Sequence, residues 1–171
     1  MKLYRFSPIK NETQLFKCIE YLHKANYELC KKTMQSYLPV RGNIGVFAHY
    51  DEEYNYLLSL SQKLTDHSVS FNNKYFKLIK PIVIPAEDNI PSATYEFLYI
   101  RKPDPYRSQV GDIDYVLTPE LYNQLKNSLI KGESRLGIRL FERPEDDIIE
   151  LFDPDLDVLS YLAKKSMNEI I

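Results

Sequence analysis

Asn43-Ile44-Gly45-Val46-Phe47-Ala48-His49-Tyr50-Asp51 reads as a strand that hands over directly to a helix. Its first six residues are small or apolar and carry no charge, the pattern of a strand covered on both faces. The run stops at His49-Tyr50-Asp51. Asp51 has the chemistry of a helix cap, and Glu52 and Glu53 follow in the first turn, where acids suit the helix dipole. Tyr54, Leu57, Leu58 and Leu64 then supply one apolar stripe. A buried strand joined to an amphipathic helix implies a sheet with a helical layer against it.

Upstream, residues 2–7 alternate apolar and basic side chains and read as a short strand stopped at Pro8. Asn11 and Gln14 have capping-box spacing, and the helix behind them extends to about Leu38, before Pro39. Its apolar positions are Leu15, Cys18, Ile19, Leu22, Ala25, Leu29 and Tyr37. Lys10, Lys17, Lys24 and Lys31 recur every seven residues and form a solvated stripe, with Glu20 and Glu28 spaced to pair with Lys24 and Lys32.

Downstream, residues 66–74 read as a polar loop, and 75–84 as a strand bent or placed at an edge by Pro81. Strands follow at 94–100 and 113–117, then a helix opened by Thr118 and Pro119 and ended at Gly132. Residues 138–141 and 148–152 form a strand pair around a turn at Arg143-Pro144-Glu145-Asp146. Asp153-Pro154 reads as the start of a last helix ending near Met167. The expected fold is therefore α+β (or α/β): one domain over residues 1–171, a mixed sheet flanked by helices, one of them long and N-terminal.

The chain has 171 residues, 44% apolar and 27% charged, which excludes a disordered or fibrous protein. No apolar run approaches the ~20 residues of a membrane span, and no secretion signal opens the chain, so no membrane partner is expected. Cys18 and Cys30 fall on one helix about 18 Å apart, too far for a disulfide, which points to the cytoplasm. The net charge of −2 conceals a gradient: residues 1–50 carry +5, residues 51–140 carry −1 and residues 141–171 carry −6. The acidic end (Glu142, Glu145, Asp146, Asp147, Glu150, Asp153, Asp155, Asp157) lacks the glycine of a calcium loop and reads as capping and turn chemistry. Attraction between it and the basic first helix is one use of the gradient.

Three stretches carry candidate chemistry. His49 at a strand end is a candidate acid–base, with Asp51 on its side to orient it and Tyr50 as a ligand contact. Arg101-Lys102-Pro103-Asp104-Pro105-Tyr106-Arg107 is a proline-stiffened basic loop. In it Arg101, Lys102 and Arg107 suit phosphate and Tyr106 suits stacking. Asp112 and Asp114, two residues apart on a strand, face one way about 7 Å apart and are candidate ligands for a divalent metal such as Mg. The sequence shows no acyl-transfer serine elbow, zinc spacing or glycine-rich phosphate loop.

If these stretches converge, they build a polar cleft at strand ends for a phosphate-bearing small molecule or nucleotide, with hydrolysis or transfer at a phosphodiester as its reaction. The alternative is a non-enzymatic interaction domain, acting as a homodimer or complex subunit. Binding of single-stranded nucleic acid through the tyrosine-rich strand and the proline loop is less favoured, and the lysine stripe of the first helix is interleaved with Glu that repels phosphate.

Overall fold

Strand β1 (Val40–Phe47) lies inside an eight-stranded sheet, in a computed structural model that describes residues 4–142 and 148–171. On one side come β4 (Ala93–Arg101), β3 (Tyr75–Ile84) and the edge strand β2 (Thr65–Phe71). On the other come β5 (Gly111–Val116), β8 (Val158–Ala163), β7 (Ile148–Leu151) and the edge strand β6 (Ile138–Phe141). β1 runs parallel to β4 and antiparallel to β5, while β5 runs parallel to β8, so the sheet is mixed. With helices α1 (Glu12–Met34), α2 (Asp51–Leu64) and α3 (Pro119–Ile130), the fold is α+β with a long N-terminal helix, as expected. No helix among the described residues is long and apolar enough to cross a membrane.

The core follows from β1's alternation. Ile44 and Val46 join Leu15, Leu22 and Leu29 of α1 and Ile113 of β5 in one buried cluster. Each such side chain removed from water contributes about 1.5–3 kcal/mol. Asn26 of α1 is buried and accepts a hydrogen bond from Ser160 of β8. Cys18 and Cys30 are free and buried, and burial pushes the Cys30 thiol up to about 11.

Charge ties the ends of the molecule together. Lys32 pairs with Asp153, Arg5 pairs with Asp157 at 2.8 Å, and Tyr21 also donates to Asp157. Lys10, Lys17 and Lys31 are exposed, and Lys24 reaches Glu87. The basic helix thus meets part of the acidic end within one chain.

Five expectations change. Residues 4–7 are not a strand; they are an irregular strap with bends at Arg5 and Phe6, and residues 2 and 3 lie outside the described part, as do residues 143–147 with the expected turn and its acids. α1 ends at Met34, because Gln35 turns left-handed (φ 58°). Asn11 does cap its start, accepting from the Gln14 amide at 2.9 Å. The N-cap of α2 is Tyr50, not Asp51, and it makes no side-chain cap bond. The buried Glu53 reaches back, accepting from the His49 amide at 2.8 Å and the Ile9 amide at 2.7 Å. The expected loop at 66–74 contains β2 and a turn in which Asn72 and Asn73 take φ of 55° and 53°. In place of the expected last helix stands β8, preceded by a local turn in which Asp153 Oδ1 accepts from the Asp155 amide. Pro81 stands where the β3–β4 register shifts, between Lys77 and Ile82, as its chemistry requires.

His23 of α1 is 1% exposed, and burial holds it below the usual histidine range. Its Nε2 donates to the Pro91 carbonyl (2.9 Å), so Nδ1 accepts from the Tyr95 hydroxyl (2.8 Å). Because the unfolded chain protonates His23 first, stability is complete above about pH 6.5 and falls as pH drops below it. Thermal melts between pH 7.5 and 5 should show this decline, and His23→Gln should flatten it; an unchanged slope in the variant would refute the assignment.

Candidate functional site

The face of β1 turned away from the core begins the site. Gly45 pairs with Asp112 across the β1–β5 ladder. A Cβ on Gly45 would stand 2.0 Å from Asp112 Oδ1, so the missing side chain is the space the carboxylate fills. Gly111 makes the same concession on the other face, where a Cβ would meet the Gly45 carbonyl at 2.1 Å and Leu22 at 2.9 Å. Two residues along, Asp114 Oδ2 accepts from Asn43 Nδ2 (2.8 Å) and from Arg41 (3.4 Å).

Asp112 and Asp114 are each 4% exposed. Burial and the neighbouring Asp114 charge hold Asp112 well above the usual carboxylate range, against the pull of Arg101 and Arg107. Burial also raises Asp114, opposed by Arg41 and Asn43. The Oδ1 atoms of Asn43, Asp112 and Asp114 are buried without a hydrogen-bond partner. Each such atom costs about 1–3 kcal/mol.

Above this floor lies a cleft of about 720 Å³ bordered by Arg41, Lys74, Arg101, Arg107, Lys164 and Lys165. The three guanidiniums are held in place by carboxylates and rings. Arg101 bonds Asp104 at 3.0 Å and lies 4.8 Å over the Phe47 ring. Arg107 bonds Glu150 at 3.3 Å, a fully buried acid that Arg139 also holds through Nε at 2.7 Å. Arg41 sits over Phe71 at 5.3 Å. The Asn72–Asn73 turn carries Phe71, Lys74 and Tyr75 onto this face, and Tyr75 meets the Tyr99 ring at 5.3 Å.

Of the residues singled out by sequence, Arg101, Arg107, Asp112 and Asp114 line this one cleft. Lys102 is exposed and Tyr106 is 93% exposed, and neither lines it. His49, Tyr50 and Asp51 also lie outside the lining. The His49 ring stacks on Tyr4 at 3.7 Å, donates from Nε2 to the Gln109 carbonyl (3.1 Å) and accepts at Nδ1 from Ser7 (2.8 Å). It anchors the N-terminal strap to the loop before β5. Tyr50 presents an edge to Tyr4, and Asp51 is exposed at the first turn of α2. Sequence reading missed Arg41, Asn43, Lys74 and Lys165; the first two precede Gly45 on β1, where a register shift between Val40 and Ile44 brings them to Asp114. Among the described residues no group of three His, Cys, Asp or Glu is placed to hold a metal.

Gly45→Ala should be destabilising by about 1–3 kcal/mol, since the new methyl overlaps Asp112. Asp112→Asn leaves Asp114 without an acidic neighbour, at equal side-chain size, and should raise Tm by about 2–4 °C per kcal/mol recovered. Calorimetry on both variants checks the pair; a Tm lowered by Asp112→Asn would contradict the picture of a strained acid pair.

No protein-family model and no curated protein matches the chain. A solved structure described as structural genomics protein EC4020 is similar, with a TM-score of 0.62 at 16% identity, covering 99% of this chain and 96% of its own. At that identity the likeness is one of fold, extending over the whole sheet and its helices.

Proposed function

We propose that the cleft binds a phosphate-bearing small molecule or nucleotide in the cytoplasm. The observation that carries this is the imbalance of its lining: six Lys and Arg side chains around two buried acids. Guanidinium forks suit phosphate oxygens, and pinning them beforehand lowers the entropy lost on binding. Tyr75 and Tyr99, their rings tilted at 52° to each other, offer an aromatic ring face for a base. Cleavage or transfer of a phosphodiester is the extension of this reading. His49 lies outside the lining and takes no part in this reading.

Thermal shift with AMP, ATP and pyrophosphate, each without divalent ions, tests the reading. Stabilisation should appear at low salt and shrink as salt rises. Arg101→Ala should weaken it about tenfold, the loss of ~1.4 kcal/mol of charge-assisted bonding. Lys102→Ala, outside the lining, should leave it unchanged. No shift with any of the three compounds would overturn the proposal.

A second reading, a homodimer, is favoured by one observation. β2 pairs with β3 only from Tyr75 to Leu78, and beyond that Ile79 and Val83 are 69% and 62% exposed on the uncovered outer side. Light scattering decides it: twice 20.2 kDa, falling to one copy in Val83→Lys, supports the dimer, and a wild-type monomer removes it.

A further inference from the structure

We infer that Asn43, Asp112 and Asp114 form the floor of a divalent-cation site, taking Mg²⁺ or Mn²⁺ together with a phosphate oxygen of the bound ligand. The inference deepens the anion-binding reading of the cleft and rests on it for the phosphate. Among the described residues, five buried side-chain atoms lack a hydrogen-bond partner, and three of them are the Oδ1 atoms of Asn43, Asp112 and Asp114. All three are acceptors, and they belong to neighbouring positions of one ladder, β1 against β5. Asp112 Oδ1 lies over Gly45, two residues from Asn43 on the same strand.

Cations stand close by, yet none serves these oxygens. Arg41 takes the other oxygen of Asp114, Arg101 is bound to Asp104, and Arg107 is bound to Glu150. Three unpartnered hard oxygens on adjoining strands therefore suit a species smaller than a guanidinium that takes several oxygens at once. Two carboxylates and an amide oxygen are hard ligands, which select Mg²⁺, Mn²⁺ or Ca²⁺ over zinc. Magnesium in particular is held by one or two carboxylates, with waters and phosphate oxygens completing its shell. Asp112 and Asp114 line the cleft, with Asn43 buried behind Asp114, and the cleft supplies room for both. The surrounding positive charge keeps the ion weakly bound alone and makes phosphate and metal bind synergistically.

Equilibrium dialysis with Mn²⁺ alone, inorganic phosphate alone and the two together tests this on the full chain. One Mn²⁺ per chain should be retained, at least fivefold more tightly with phosphate present. Asp112→Asn and Asp114→Asn should each lower Mn²⁺ retention more than tenfold while phosphate alone still binds. Asn43→Asp, which adds a third carboxylate, should tighten Mn²⁺; circular dichroism on each variant confirms that the fold is retained. Phosphate retention without any retained Mn²⁺, or Mn²⁺ retention indifferent to Asp112→Asn and Asp114→Asn, overturns the cation site and leaves the anion reading intact. Retention of Mn²⁺ that depends on Asp112, with no phosphate bound in any arm, supports the ion site and overturns the anion reading.

Discussion

The packing of Asp112 on Gly45 is the constraint from which the site follows. A carboxylate in the interior of a sheet needs a neighbouring strand without a side chain at that position, and Gly45 provides it. Gly111 then lets Leu22 of α1 close on the opposite face. One residue pair thus sets how near the helix comes on one side and how deep the acid lies on the other. Asn43 and Arg41, on the same strand where the β1–β5 register shifts between Val40 and Ile44, both reach Asp114. The apolar half of β1's alternation, Ile44 and Val46, belongs to the core cluster.

Much of this architecture is legible in the sequence, and the exceptions have physical causes. β1, β3, β4, β5 and the start of α3 announce themselves through uncharged runs, aromatic strands and the Thr118-Pro119 start. β8 does not. Its run Val158-Leu159-Ser160-Tyr161-Leu162-Ala163 lies between β5 and β7, where burial on both sides erases the alternation that distinguishes a strand from a short helix. Asp153 and Pro154 ahead of it mimic a helix start. β2 fails for the opposite reason: as an edge strand of Thr, Asp, His and Ser it carries the composition of a loop, and only its pairing with β3 makes it a strand.

The site is legible in part. Arg101 and Arg107 could be read because proline stiffening and charge are local properties, and Asp112 and Asp114 because strand spacing is. Lys74 and Tyr75 reach the cleft through the Asn72–Asn73 turn, and Lys164 and Lys165 through the C-terminal end of β8. No local pattern encodes such meetings. His49 shows the converse. A histidine at a strand end has the chemistry of a proton carrier, yet its partners Ser7, Gln109 and Tyr4 come from distant or polar-looking segments that give no hint of pairing.

The arginines of the cleft share one property with a consequence for time rather than affinity. Arg41, Arg101 and Arg107 each already hold a carboxylate: Asp114, Asp104 and Glu150. Under the anion binding proposed above, an arriving anion would compete with these partners for donors, and a departing one would be replaced by the carboxylate that stood there before. Such exchange would lower the barrier to leaving as well as the gain on arrival, giving short residence and an occupancy that tracks the surrounding concentration. A pocket wired in this way behaves less like a store than like a gauge.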